Sequence, residues 1–93
     1  MSEDLGNAQT ENLNFQTISD FKWCMKAHGE VEFKWDNKPY SITHPNGKMS
    51  ICQGNHYSEA FDAETADELL NYLMDGVPLR DVITKVTVID RTI

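Results

Sequence analysis

The spacing of apolar residues changes period several times along this chain, and each change marks a predicted element. Ile18, Phe21, Cys24 or Met25, and His28 recur every three to four positions, with Lys22 and Lys26 on another face. That spacing predicts a helix of about ten residues. Thr17 followed by Asp20 is its N-terminal capping signal, and Gly29 is placed to end it as the C′ residue. Beyond Gly29 the period drops to two. VEFKW sets Val31, Phe33 and Trp35 on one face against Glu32 and Lys34, the pattern of a half-buried strand. YSITH alternates in the same way, with Tyr40, Ile42 and His44 on one side. MSIC places Met49 and Ile51 inward and Ser50 and Cys52 opposite. Asp36-Asn37 and Asn46-Gly47 lie between these runs, and both pairs tolerate the positive φ of tight turns. Three strands and two turns predict an antiparallel meander.

The second half is more mixed. QGNHYSE reads as a loop, with a short extended piece around Phe61. Thr65-x-x-Glu68 is a capping box that opens a second helix, with Leu69, Leu70, Tyr72 and Leu73 as its stripe and Asp75-Gly76 as its end. VPLRDVI suggests a short helical turn. KVTVIDRTI, rich in β-branched residues, is expected to be the last strand, with Val86 and Val88 facing one way and Thr87 and Ile89 the other. The order α-β-β-β-α-β defines an α+β class: a three-stranded meander plus a C-terminal strand, with two helices packed on one face. Residues 1–14 are polar, acidic and aperiodic, and are expected to be a disordered tail. Residues 15–93 then form a single α+β domain.

Composition narrows the function classes. The net charge is −7, from 15 acids against 8 basic residues. Nucleic-acid backbones and anionic membranes attract the opposite sign, so neither is an expected partner. No apolar run has the roughly 18 residues of a membrane span, and the N-terminus lacks the basic start and apolar stretch of a signal peptide. A cytoplasmic location follows as an expectation, and with it reduced thiols. Glu59, Asp62, Glu64, Asp67, Glu68 and Asp75 are six acids within seventeen residues that hold no Lys or Arg.

Two spacings invite chemistry. Cys24 and His28, then Cys52 and His56, each form a Cys-x3-His pair, with His44 between them. Thiolate and imidazole suit zinc, and Cys24 and His28 would lie one turn apart on a helix. Against this, neither half has a Cys-x2-Cys knuckle. Alternation also sets Cys52 on the face away from Met49 and Ile51. Cys24 falls where the first helix needs a small hydrophobe, a role a free thiol fills well. The expectation is core thiols and no cofactor, with a zinc-stabilised structural or enzymatic domain as the alternative. No nucleophile elbow, phosphate loop or framed carboxylate pair is present, so no enzyme is expected. The acidic run would focus field toward a basic protein surface, although Glu64, Asp67 and Glu68 also suit the start of a helix. Trp35 and Tyr40 flank the first turn, Trp23 lies off the first helix's core stripe, and an aromatic on an uncovered sheet face would anchor a partner. The candidate contact residues are therefore Glu59, Asp62, Glu64, Asp67, Glu68, Asp75, Trp35, Tyr40, His56 and Tyr57. Self-association through a sheet edge is a further alternative.

The stretch DFKWCMKAHGEVEFKWDNKPYSITHPNGKMSI, followed by TADELLNYLMDGVPLRDVITKVTVIDRTI, resembles small orphan proteins found in phage and mobile-element regions of Gram-positive bacteria. The resemblance covers most of residues 17–93 and lies in general texture, with no catalytic signature to carry over. It implies a stand-alone accessory protein. Inhibitors of host defence, anti-CRISPR proteins among them, share this size and acidity. On that likeness the partner would be a nucleic-acid-processing protein with a basic surface.

Overall fold

Asp36 and Asn37 sit at φ 52° and 65°, the geometry of a two-residue turn whose twist matches the strands it joins. They connect β1 (Val31–Trp35) to β2 (Lys38–Thr43), with Trp35 directly opposite Lys38. The computed structural model describes residues 13–54 and 57–92. Within them lie α1 (Ile18–Lys26), β3 (Met49–Gln53), β4 (Phe61–Ala63), α2 (Ala66–Leu69), β5 (Leu73–Met74), β6 (Val77–Pro78), α3 (Leu79–Val82) and β7 (Thr87–Arg91). Five strands pair antiparallel in the order β4-β3-β2-β1-β7, and β5 pairs with β6 as a separate ribbon. The class is α+β, as the periodicities predict. Among the described residues no helix is long and apolar enough to cross a membrane.

The strand register sorts the side chains by face. Val31 lies opposite Ile42, Phe33 opposite Tyr40, and Ile42 opposite Ile51. All five are buried, and the Phe33 and Tyr40 rings stack at 5.3 Å and 14°. Glu32, Lys34, Ser41, Thr43 and Asp62 point the other way. One face is therefore core and the other is polar, as alternation requires.

β4 and β7 occupy opposite edges of the sheet, so residues 64–86 must cross its full width, ~19 Å at the usual strand spacing. That crossing covers the apolar face. Leu69, Leu70, Met74, Leu79, Val82, Ile83 and Val86 join Phe21, Cys24 and Met25 of α1 in one cluster with the strands.

Three local expectations are corrected. α1 ends at Lys26, and the residue in left-handed conformation is His28 (φ 60°), not Gly29. The Gly29 N–H reaches back to the Cys24 carbonyl (2.9 Å) and the His28 N–H to Met25 (3.0 Å), which makes His28 the C′ residue and Gly29 the one after it. The second correction concerns Asn46-Gly47, which sits inside a five-residue link, 44–48, containing a 3-10 turn (Pro45–Gly47). His44 leaves the ladder to bond the Gly29 carbonyl (2.8 Å), and Pro45 has no N–H to offer a strand partner. The third is the second helix, which stops after one turn instead of running to Asp75. Asp75 and Gly76 take φ 53° and 87°, a tight hairpin turn that pairs Met74 with Val77 and Leu73 with Pro78. The carbonyls past the end of α2 are satisfied from α3: Leu79 N–H donates to Tyr72 (2.8 Å) and Arg80 N–H to Leu70 (3.0 Å).

The N-terminal approach is tied down by β7. Asn14 Oδ1 accepts from the Val88 N–H (2.8 Å), and Arg91 Nη1 donates to the Leu13 carbonyl (3.0 Å). The Arg91 guanidinium also lies 4.4 Å from the centre of the Phe15 ring, and its Nη2 is 3.6 Å from an Asp20 carboxylate oxygen. Phe15 is buried and meets Phe21 edge-on at 5.3 Å. Order thus extends to Leu13 and Asn14, the last two residues of the expected tail; residues 1–12 lie outside the described residues.

Arg91→Met keeps the stem but loses the cation over Phe15 and the donor to Leu13, and should lower unfolding free energy by about 1–3 kcal/mol in a urea titration. His28→Val forces a β-branched residue to positive φ and should cost about 1–2 kcal/mol, while His28→Gly should be neutral or stabilising by up to ~1 kcal/mol.

Candidate functional site

Phe21, Cys24 and Met25 turn one face of α1 into the core, so the intervening residues Lys22, Trp23 and Lys26 must face outward. Trp23 is 60% exposed, the largest apolar side chain left in solvent among the described residues. Beside it the seam between α1 and the start of α2 opens into a groove of about 390 Å³. Lys22, Trp23 and Lys26 form one wall, Thr65, Ala66 and Asp67 the other, and Met49 of β3 is the floor. The walls are held at this spacing from both sides. Thr17 Oγ1 accepts from the Asp20 N–H (3.0 Å) to cap α1. Thr65 Oγ1 accepts from the Glu68 N–H (3.1 Å) to cap α2, and the Glu68 carboxylate accepts from the Glu64 N–H (2.9 Å). Lys22 Nζ and Asp67 Oδ1 meet across the seam at 3.1 Å.

The acidic run does not form one face. Asp67 pairs with Lys22, and Glu64 with Lys48 at 3.2 Å. Glu68 is occupied in the α2 cap. Asp75 pairs with Lys38 at the other end of β2, about 17 Å away at the rise of an extended strand. Asp62 is exposed on the polar face of β4, and Glu59 is exposed in the 3-10 turn Tyr57–Glu59. Acids close in sequence are thus distributed to opposite ends of the sheet, because the crossing connection carries them there.

The aromatic candidates also separate. Tyr40 is 2% exposed, so its expected place on a contact surface is corrected: the strand register turns it into the core against Phe33. Trp35 is half-buried and packs on the core. His56 lies outside the described residues, and Tyr57 begins the 3-10 turn. Trp23 was legible only as a tryptophan off the core stripe. Its position between Lys22 and Lys26, on the wall of a groove, needed the α1–α2 contact to become visible.

The cysteines and histidines do not converge. Cys24 is fully buried, while His28 has left the helix and is exposed, so the one-turn spacing does not apply to them. Cys52 is buried opposite Ser41, outside the main core cluster, and its thiol contacts the Gly54 carbonyl at 3.5 Å. Among the described residues no group of three His, Cys, Asp or Glu side chains is placed to hold a metal ion. His28 stacks on His44 at 5.1 Å. Because a carbonyl only accepts, His44 Nε2 must carry the proton it gives Gly29, and the buried Nδ1 makes no hydrogen bond. Burial pushes the Cys24 thiol up, partly offset by the Arg91 charge, and burial does the same to Cys52. The Tyr40 and Tyr72 phenols are likewise pushed up, chiefly by burial.

No family model, curated protein or solved structure matches the chain.

The thiols supply a direct check. Both should be neutral and shielded at pH 7.5, reacting with a disulfide reagent at least about ten-fold more slowly than in the guanidinium-unfolded chain. The sign for stability follows. Folded thiols and phenols ionise above their ordinary values of 9.0 and 10.0, so their contribution is complete below those values and is lost as pH rises through the raised ones. Urea midpoints should therefore hold from neutral pH to about 8.5 and decline above that.

Proposed function

We propose that this chain is a non-enzymatic protein-binding module whose contact surface is the Trp23 face of α1 and the groove beside it. The observation that carries the reading is the 60% exposure of Trp23 on a rigid, capped helix next to an apolar-floored groove. A tryptophan held in water sacrifices a large apolar burial that a repacked helix would recover, and such residues dominate binding energy at interfaces. The groove is the right size for one or two side chains, and of its polar groups Thr65 is used in the α2 cap while Lys22 and Asp67 are paired with each other. Occupying another protein's surface is the activity this arrangement supports.

A second reading is favoured by the net charge of −7. Here the chain is an acidic inhibitor of the anti-CRISPR kind, drawn to a nucleic-acid-processing protein whose surface is basic. The exposed acids Glu59 and Asp62, with Glu32 and Asp90 paired on the polar sheet face, would supply the field. Binding of that kind weakens steeply as salt rises.

A displayed random-peptide library distinguishes the two. Sequences enriched on the native chain should lose about ten-fold or more in affinity for Trp23→Ala, whose folding is checked by circular dichroism. Ligands that bind Trp23→Ala as tightly as the native chain, and that fail in high salt, would refute the first reading in favour of the second.

A further inference from the structure

We infer that the Trp23 groove takes a segment of a partner protein in which a bulky apolar side chain is flanked by carboxylates. This deepens the reading of the Trp23 face as the contact surface and rests on it. Trp23, Ala66 and the Met49 floor offer a hydrophobic slot of about 390 Å³. A dry cavity of roughly 150 Å³ already holds a benzene ring, so this slot has room for one large side chain or two smaller ones.

Lys22 and Lys26 are one helical turn apart on the same outward face of α1, and both line the groove. Lys22 is shared with Asp67 across the seam, whereas Lys26 makes no ion pair among the described residues. Two cations against one carboxylate leave the rim net positive, in a chain whose overall charge is −7.

At ~150 mM salt the screening length is about 8 Å, so an occupant responds chiefly to the charges at the groove. Beside the α2 wall Glu64 is paired with Lys48 and Glu68 sits in the α2 cap, Asp67 is shared with Lys22, and Lys26 is the groove cation left unshared among the described residues. A carboxylate beside the seated apolar group would meet Lys26 and gain a charge-assisted hydrogen bond. A lysine or arginine in that place would meet like charge in a partly desolvated site, which interfaces use to reject wrong partners. The Thr65 oxygen accepts in the α2 cap and Asp67 is shared with Lys22, so the charge available to an occupant is chiefly that of Lys26.

The test uses the full chain and two synthetic amphipathic peptides with identical leucine positions. One carries glutamate at every polar position and the other lysine. Trp35→Phe leaves Trp23 as the sole tryptophan reporter, since the chain has two. At ~150 mM salt the glutamate peptide should shift Trp23 emission and saturate, and the lysine peptide should bind at least about ten-fold more weakly at that reporter. Lys26→Glu should reverse the order. If Trp35→Phe proves unfolded, the Trp23 indole N–H resonance of the native chain gives the same readout.

A lysine peptide that binds at Trp23 as tightly as the glutamate one would overturn the inference. So would a glutamate peptide that never saturates, or an order unmoved by Lys26→Glu. The two levels fail separately. Library ligands that depend on Trp23 but carry no carboxylates leave the contact surface standing and remove only its proposed occupant.

Discussion

The fold depends on the return of β7 to β1. β4 ends the meander at one edge of the sheet, and β7 must pair at the other. The chain between them is therefore obliged to cross the whole apolar face, and in crossing it supplies seven of the nineteen described residues buried in the core cluster. Without that closure β1, with Val31 and Phe33, would be an open edge of the sheet. β7 also carries Arg91, whose guanidinium joins Leu13, Phe15 and Asp20. One long-range pairing thus sets the sheet, places its cover and anchors the first helix. A small domain has few kcal/mol to spare, so such a closure must form together with the packing it permits.

The groove is a consequence of how that cover is divided. α1 approaches from before β1 and α2 from after β4, so they are separate pieces laid side by side over the start of β3. Neither is long enough to fill the seam. Lys22 and Asp67 bridge it at 3.1 Å, and Met49 closes it from below. Trp23 stands on the rim because the helical period that buries Phe21, Cys24 and Met25 turns it outward. Its exposure is thus dictated by the core beneath it, while its identity is free to serve another purpose.

Charge shows the same division between local and global. The acids of residues 59–75 look like one patch in the sequence, yet most are used where they fall: in the cap of α2, against Lys22, against Lys48 and against Lys38. The molecule remains strongly acidic overall, while the Trp23 groove carries two lysines against one aspartate on its rim. Long-range attraction and short-range fit therefore need not share a sign.

Period-two alternation, Asp36-Asn37 and the two threonine caps determine β1, β2, β3 and the starts of α1 and α2 from the sequence alone, since each rests on neighbours within a few residues. Three local readings failed where a distant group intervened. His28 instead of Gly29 takes the left-handed position at the end of α1, and its ring stacks on His44. His44 leaves its strand for the Gly29 carbonyl. Tyr72, Leu73 and Met74 leave a helix for a ribbon whose ends are satisfied by α3. The candidate site divides likewise. Trp23 off the core stripe, with Lys22 and Lys26 beside it, was written in the helical spacing. Only the tertiary structure could bring Met49, Ala66 and Asp67 opposite them and scatter the acidic run to two ends of a sheet. A turn or a cap depends on bonds a few residues apart, whereas a groove or a charged face depends on which segments the closing strand draws together.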